Sequence, residues 1–251
     1  MMQEEMKEGI QKLFDEALEK VGAFRKKTYE EAFKNLYHTY NDLLDSLLAY
    51  CDELDDEEEW NIVVSVIPDY AQEKLKEVSK RDQKKIAMDM NLIMAVYVIP
   101  MLTYTRSQTG DKLAEGIVNL WNEKNVTGLI LSKSSYDKIA QGFRKGLCYI
   151  TTAICQDQKK PDDCQELTEL RRYRDDYLMQ SEEGRMLVEA YYDVAPAIVF
   201  AINMRKDASD IYQELYRDYL VPCVTLARNK KNETCRMLYQ DMVQHLEREY
   251  L

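Results

Sequence analysis

Thr28-Tyr-Glu-Glu-Ala-Phe-Lys-Asn-Leu-Tyr-His-Thr-Tyr-Asn-Asp-Leu-Leu-Asp-Ser-Leu-Leu-Ala-Tyr-Cys51 is the stretch that decides the fold class. Ala32, Phe33, Leu36, Tyr37, Tyr40, Leu43, Leu44, Leu47, Leu48 and Cys51 recur at three- and four-residue steps, which places them on one face of a helix. Thr28, with Glu31 three residues on, reads as a capping box that opens it. No glycine or proline interrupts the run, so the helix is long.

The same spacing continues outward in both directions. Upstream, Met6, Ile10, Leu13, Phe14, Ala17, Leu18 and Val21 form a stripe that Gly22 breaks. Downstream lies the acidic run Asp52–Glu59. It lacks the glycine turn and alternating ligands of a calcium loop, so it reads as a solvated corner whose acids favour the next helix N-terminus. Trp60–Val78 is predicted helical with a start or kink near Pro68, and Asp82–Tyr104 as a strongly apolar helix that Pro100 kinks or ends. Asp111–Asn122 follows. Val126–Leu131 alone looks strand-like, and without a partner strand it is expected to be an ordered loop. Ser134 and Asp137 should open a short helix to Phe143. Beyond Gly146, helices are expected near 148–156, 162–179, 182–204, 209–228 and 233–250, with Ser181 and Asp207 as N-caps and kinks at Pro196 and Pro222. With only 8 Gly and 5 Pro, turn-formers are scarce. The fold class is therefore all-α, a compact multi-helix bundle of roughly nine or ten helices with no significant sheet. It divides into an N-terminal helical half, 1–130, and a Cys/Tyr-rich half, 131–251, packed as one body.

A net charge of -11 and a pI near 4.9 argue against nucleic-acid or anionic-membrane partners, because phosphate neutralisation needs a basic face. The longest apolar run, Leu92–Leu102, contains Pro100 and falls short of the roughly 18 residues a membrane span needs. Together with 6 cysteines and an N-terminus lacking an apolar leader, this points to a soluble chain with reduced thiols in a bacterial-type cytoplasm.

Unusual residue types cluster in the second half. Cys148 and Cys155, seven apart, share a helix face about 10 Å from one another, so one regular helix cannot bring them together. Cys164, Cys223 and Cys235 would have to fold toward them. No Cys-x2-Cys knuckle or paired histidine supports zinc, and Cys223 and Cys235 sit in apolar stripes that core packing explains. Only His38 and His245 exist to serve as a base for a thiol nucleophile. Thr151 and Thr152 either bond back to their own helix or face a ligand. Arg171, Arg174 and Asp175 form a charged helix face, and Tyr177, Tyr191 and Tyr192 add aromatics of the kind found where a core meets a partner. No phosphate loop, nucleophile elbow or zinc-protease motif is present.

Cys148-Tyr-Ile-Thr-Thr-Ala153, Leu170-Arg-Arg-Tyr-Arg-Asp-Asp-Tyr-Leu178, Gly184, Tyr191-Tyr192 and Ala195-Pro196 resemble the CFI-box C-terminal domain family of bacterial proteins. The match is specific from Cys148 to about Ile202. The resemblance implies an interaction or tethering module, carried in relatives beside unrelated N-terminal modules, and it implies no activity. The sequence is therefore expected to encode a non-enzymatic protein-interaction module with a protein partner, no assigned cofactor and no metal ligand. Its surface would be Arg171, Arg174, Asp175, Tyr177, Tyr191 and Tyr192. The alternative is a thiol-redox or metal-binding cluster of Cys148, Thr151, Thr152, Cys155, Cys164, Cys223 and Cys235.

Overall fold

The computed structural model describes residues 4–144 and 149–251, and Cys148 lies outside them. Among the described residues the protein is all-α. The chain forms two compact units, Met1–Phe24 with Thr28–Gln141, and Arg25–Lys27 with Gly142–Leu251.

In the first unit α1 (Glu4–Leu18) packs on α2 (Tyr29–Asp52), α3 (Glu57–Glu77) and α4 (Gln83–Ile93), while α6 (Gln108–Glu123) packs on α3 and α5 (Ile99–Tyr104). The expected capping box is not formed. Thr28 does stand at the N-cap of α2, but its hydroxyl donates to Ala23 O at 2.8 Å and so closes the preceding turn instead. Pro68 neither starts nor ends a helix. The start is set by Asp56, whose carboxylate accepts from Glu58 N at 2.8 Å, and Glu57, Glu58 and Glu59 occupy the first turn.

Pro100 does not end its helix either. α4 and α5 are joined by a π turn, Met94–Val98, so the helix runs unbroken from Gln83 to Tyr104. A proline inside an α-helix cannot donate to the carbonyl four residues back and its ring collides with it; widening the preceding turn relieves the collision. The carbonyls left over need donors, because this helix is buried almost all round. Tyr29 supplies one, its hydroxyl donating to Val96 O at 2.8 Å, and Ser134 supplies the other by donating to Ala95 O. Ser134 stands one residue before the N-cap position of α7 (Tyr136–Arg144), which Ser135 occupies, its carbonyl accepting Ile139 N at 3.2 Å. Burial pushes the Tyr29 phenol pKa well up, which keeps its proton on the bond. Tyr29→Phe is expected to destabilise the first unit by about 2 kcal/mol, the cost of a buried carbonyl left unpaired, with ring packing retained. Urea unfolding followed by tryptophan fluorescence measures it; a midpoint within error of the parent would contradict the assignment.

The strand-like segment 126–131 is a loop, held at Ile130 and Leu131 by asparagine side chains. Asn122 receives Leu131 N and donates to Leu131 O, both at 2.8 Å, as a neighbouring strand would. Asn91 Nδ2 donates to Ile130 O at 3.1 Å, while Asn91 Oδ1 accepts from Trp121 Nε1 and Thr127 Oγ1 at 2.9 Å each.

The second unit is organised on the short helix α8 (Tyr149–Asp157), whose Ile150, Thr151, Ile154 and Cys155 are buried. α10 (Glu182–Asn203), α11 (Ala208–Leu215) and α9 (Gln165–Asp176) pack on it, and α12 (Val221–Arg228) packs on α9 and α13 (Asn232–Tyr250). α9 is shorter than expected, starting after Cys164 and giving way to a 3-10 turn, Leu178–Gln180. Ser181 caps α10 by accepting Gly184 N at 3.0 Å. Asp207 occupies the N-cap of α11 without capping it, its carboxylate being taken by Arg205 at 2.7 and 2.8 Å. Pro222 repeats the device seen at Pro100: a π turn, Tyr216–Leu220, precedes it and joins α11 to α12. Two helices, Gln83–Tyr104 and Glu182–Asn203, are long and apolar enough to cross a membrane by length and composition, and the first is largely buried within its unit.

Candidate functional site

A cavity of about 330 Å³ in the second unit is walled by α10 and α13, with residues of α9 and Thr151 of α8 also in its lining. Its apolar lining comes from Leu170, Leu187, Val188, Val194 and Val243, and its aromatic lining from Tyr173, Tyr191, Tyr192 and Tyr239. At about 30 Å³ per water-sized volume this is room for roughly ten non-hydrogen atoms, the low end of small-ligand sites.

The polar groups are nearly all engaged with one another. Tyr191 OH accepts from Ile150 N at 3.0 Å and so satisfies one of the orphan donors at the start of α8. Thr151 Oγ1 and Tyr239 OH share a hydrogen bond of 3.0 Å. Arg174 is held flat by both oxygens of Asp175, at 2.7 and 3.0 Å, and donates to Tyr192 OH at 2.7 Å. Arg236 is fixed by Glu233 and by Glu183 at 2.8 Å. The rings form a continuous edge: Tyr191 lies 5.4 Å from Tyr192 and 5.6 Å from Tyr239, centroid to centroid. Burial pushes the Tyr173 phenol pKa well up, and its hydroxyl donates to Asn232 O at 2.8 Å.

Thr151, Arg174, Tyr191 and Tyr192 therefore meet at one cavity although they are forty residues apart in sequence. Three other expected site residues lie off it. Arg171 pairs with Asp162 at 2.9 Å, Tyr177 stacks on Tyr173 and donates to Glu233 at 3.2 Å, and Asp175 contributes only through Arg174. Thr152 is buried and its hydroxyl finds no partner among the described residues. Arg236 and Tyr239 are the residues sequence reasoning undervalued. With Val243 and Glu247 they form a second stripe on α13, one step round from the core stripe Cys235, Met242, Leu246, Tyr250.

Cys223 and Cys235 are fully buried, and Cys235 Sγ donates to Cys223 O at 3.3 Å. Cys155 is buried and Cys164 half-buried, and burial pushes the Cys155 thiol up to about 12. No group of three or more His, Cys, Asp or Glu side chains fit to hold a metal occurs among the described residues. Neither histidine lines the cavity: His38 and His245 are exposed, and His245 sits 3.5 Å from Glu249.

Met179, Met186 and Met237 are exposed, each next in sequence to a lining residue, Leu178, Leu187 or Arg236. The arrangement offers an apolar slot with pre-oriented guanidinium groups, and its lining holds neither a cysteine nor a histidine to act as nucleophile or base.

Comparison of the chain with protein-family models, with curated proteins and with solved structures returned no match.

Proposed function

We propose that this chain is a non-enzymatic protein-interaction module of the cytosol, whose second unit receives an amphipathic helix of a protein partner. The observation that carries the reading is the 330 Å³ cavity between α10 and α13, lined mainly by apolar and tyrosine side chains. A helix-in-groove partner places apolar side chains at three- and four-residue steps, and α10 and α13 present matching apolar positions, Leu187, Val188 and Tyr191 against Tyr239 and Val243. Arg174 and Arg236 select acidic flanks on that helix. Their present carboxylate partners, Asp175, Glu183 and Glu233, are largely solvent-facing, so an incoming carboxylate gains a fixed fork without breaking a buried pair.

Fluorescently labelled synthetic amphipathic helices provide the test. One carries leucine anchors with glutamate flanks, a second the same anchors with lysine flanks, and a third serine in place of the anchors. The glutamate-flanked peptide is expected to bind the full chain, and Val188→Glu, which puts a charge into the slot, to weaken it at least tenfold, about 1.4 kcal/mol. Equal binding of all three peptides, or indifference to Val188→Glu, would overturn the reading.

A further inference from the structure

We propose that Arg25-Lys26-Lys27 is an autoinhibitory strap: it occupies the acidic end of the slot between α10 and α13 in place of a basic segment of the partner helix, and it leaves when that helix docks. The inference rests on the helix-in-groove reading above and adds the partner's charge order and what the partner must displace.

Arg25–Lys27 is the only run of three basic residues in a chain of net charge -11. It belongs to the second unit, although Phe24 and Thr28 on either side belong to the first. Arg25 Nη2 donates to Glu247 Oε1 at 3.0 Å, and Arg25 Nη1 stands 3.9 Å from Asp193 Oδ2. One guanidinium thus joins the two walls of the slot, and Arg25, Asp193 and Glu247 all line it. The main chain follows. Lys26 N donates to Asp193 O at 3.2 Å, and Lys27 N donates to Asp193 Oδ1 at 3.0 Å. The Lys27 ammonium pairs with Glu189 at 2.8 Å, and the Lys26 ammonium stands 5.5 Å from the centroid of Tyr192, a lining ring. The site therefore holds a short basic segment by its backbone as well as by its charge.

The two ends of the slot differ in sign. At one end the Arg236 guanidinium of α13 reaches Glu183 of α10 at 2.8 Å. Ten residues along α10, about 15 Å, comes Asp193, and a similar step along α13 brings Glu247. With Glu189 these carboxylates make the other end acidic. A partner helix with an acidic first turn and a basic last turn matches both ends, and its own dipole favours that order of charges. Once it extends past about three turns it meets Arg25. The strap can yield. It carries no apolar side chain, Lys26 and Lys27 are exposed, and ion pairs of this kind contribute little in water. Its tethers on both sides keep it concentrated at the site, so the partner's apolar anchors must supply the difference.

The test uses two labelled synthetic helices with the same leucine anchors and glutamates in the first turn, one ending in lysines and the other in serines. They are titrated into the full chain and into the triple variant Arg25→Ser, Lys26→Ser, Lys27→Ser. The lysine-ended helix is expected to bind the variant at least tenfold tighter than the wild type, and the serine-ended helix to gain less. A second measurement needs no variant: amide exchange of Lys26 and Lys27, followed by NMR in the wild-type chain, should quicken at least tenfold when the lysine-ended helix is bound. Binding that Val188→Glu weakens but the triple variant leaves equal or weaker overturns the strap and leaves the helix-in-groove reading standing. So do Lys26 and Lys27 amides that are unprotected in the free chain, or that keep their protection with the helix bound. Binding indifferent to Val188→Glu, or no binding to either protein, overturns both.

Discussion

Asn91→Leu should lower the stability of the first unit by about 3 kcal/mol, a shift of about 10 °C in its melting midpoint. The side chain is fully buried and its amide works in both directions, donating to Ile130 O and accepting from Trp121 Nε1 and Thr127 Oγ1. Leucine keeps the volume but leaves the indole N–H and a loop carbonyl without these partners in a dry interior, each costing about 1–3 kcal/mol. Both tryptophans of the chain, Trp60 and Trp121, lie in this unit, so fluorescence reports its unfolding specifically. Asn91→Leu should also loosen 126–131, because Asn91 holds Thr127 and Ile130; faster amide exchange there is the second readout. A loss below about 1 kcal/mol would show that the loop is held by Asn122 alone.

Gly184→Ala should destabilise the second unit by about 3 kcal/mol. A Cβ at this position would stand 2.0 Å from Leu178 O and 2.7 Å from Leu178 C, inside backbone that cannot swing aside as a side chain can. The 3-10 turn Leu178–Gln180 would have to lift away from the start of α10, and with it Leu178, which lines the cavity. Partner-peptide affinity should therefore fall together with stability. Gly142→Ala is the contrast: nothing lies within 4 Å of its Cβ, and α7 should gain about 0.5–1 kcal/mol from the lost glycine entropy. Tyrosine near-UV circular dichroism against denaturant separates the two outcomes; equal stability of both variants would refute the clash.

Helices were legible because their stripes are long and their turn-formers few. Phe33, Leu36, Tyr40, Leu44, Leu47, Leu48 and Cys51 of the stretch quoted first are all buried on α2. What sequence spacing could not supply was the destination of single polar groups. Thr28 and Asp207 stand at N-caps and Ser134 one residue before one, yet their oxygens serve Ala23 O, Arg205 and Ala95 O, the last a partner that only tertiary folding brings near. Pro100 reads as a kink or an end because local rules see only its missing N–H; Tyr29 and Ser134, distant in sequence, serve the carbonyls that would otherwise be stranded. The cavity was half legible. Arg174, Tyr191 and Tyr192 stand out by residue type, whereas Val188, Val243 and Arg236 are ordinary helix-surface residues until two helices place them opposite each other.

The two π turns change how the length of this chain should be understood. Buried positions along 208–228 fall at Tyr212, Leu215, Leu220, Cys223 and Val224, steps of three, five, three and one. The five is the π turn, a surplus residue carried in the middle of an otherwise regular rod. Deleting one residue between Tyr216 and Leu220 would restore an ideal ladder and still be harmful. It would rotate everything beyond it by about 100°, turning Leu220 and Cys223 out of the core and bringing the ring of Pro222 back against a carbonyl. In each of these two helices an insertion that looks like a blemish in the ladder is what keeps the segments before and after the proline in phase with one core.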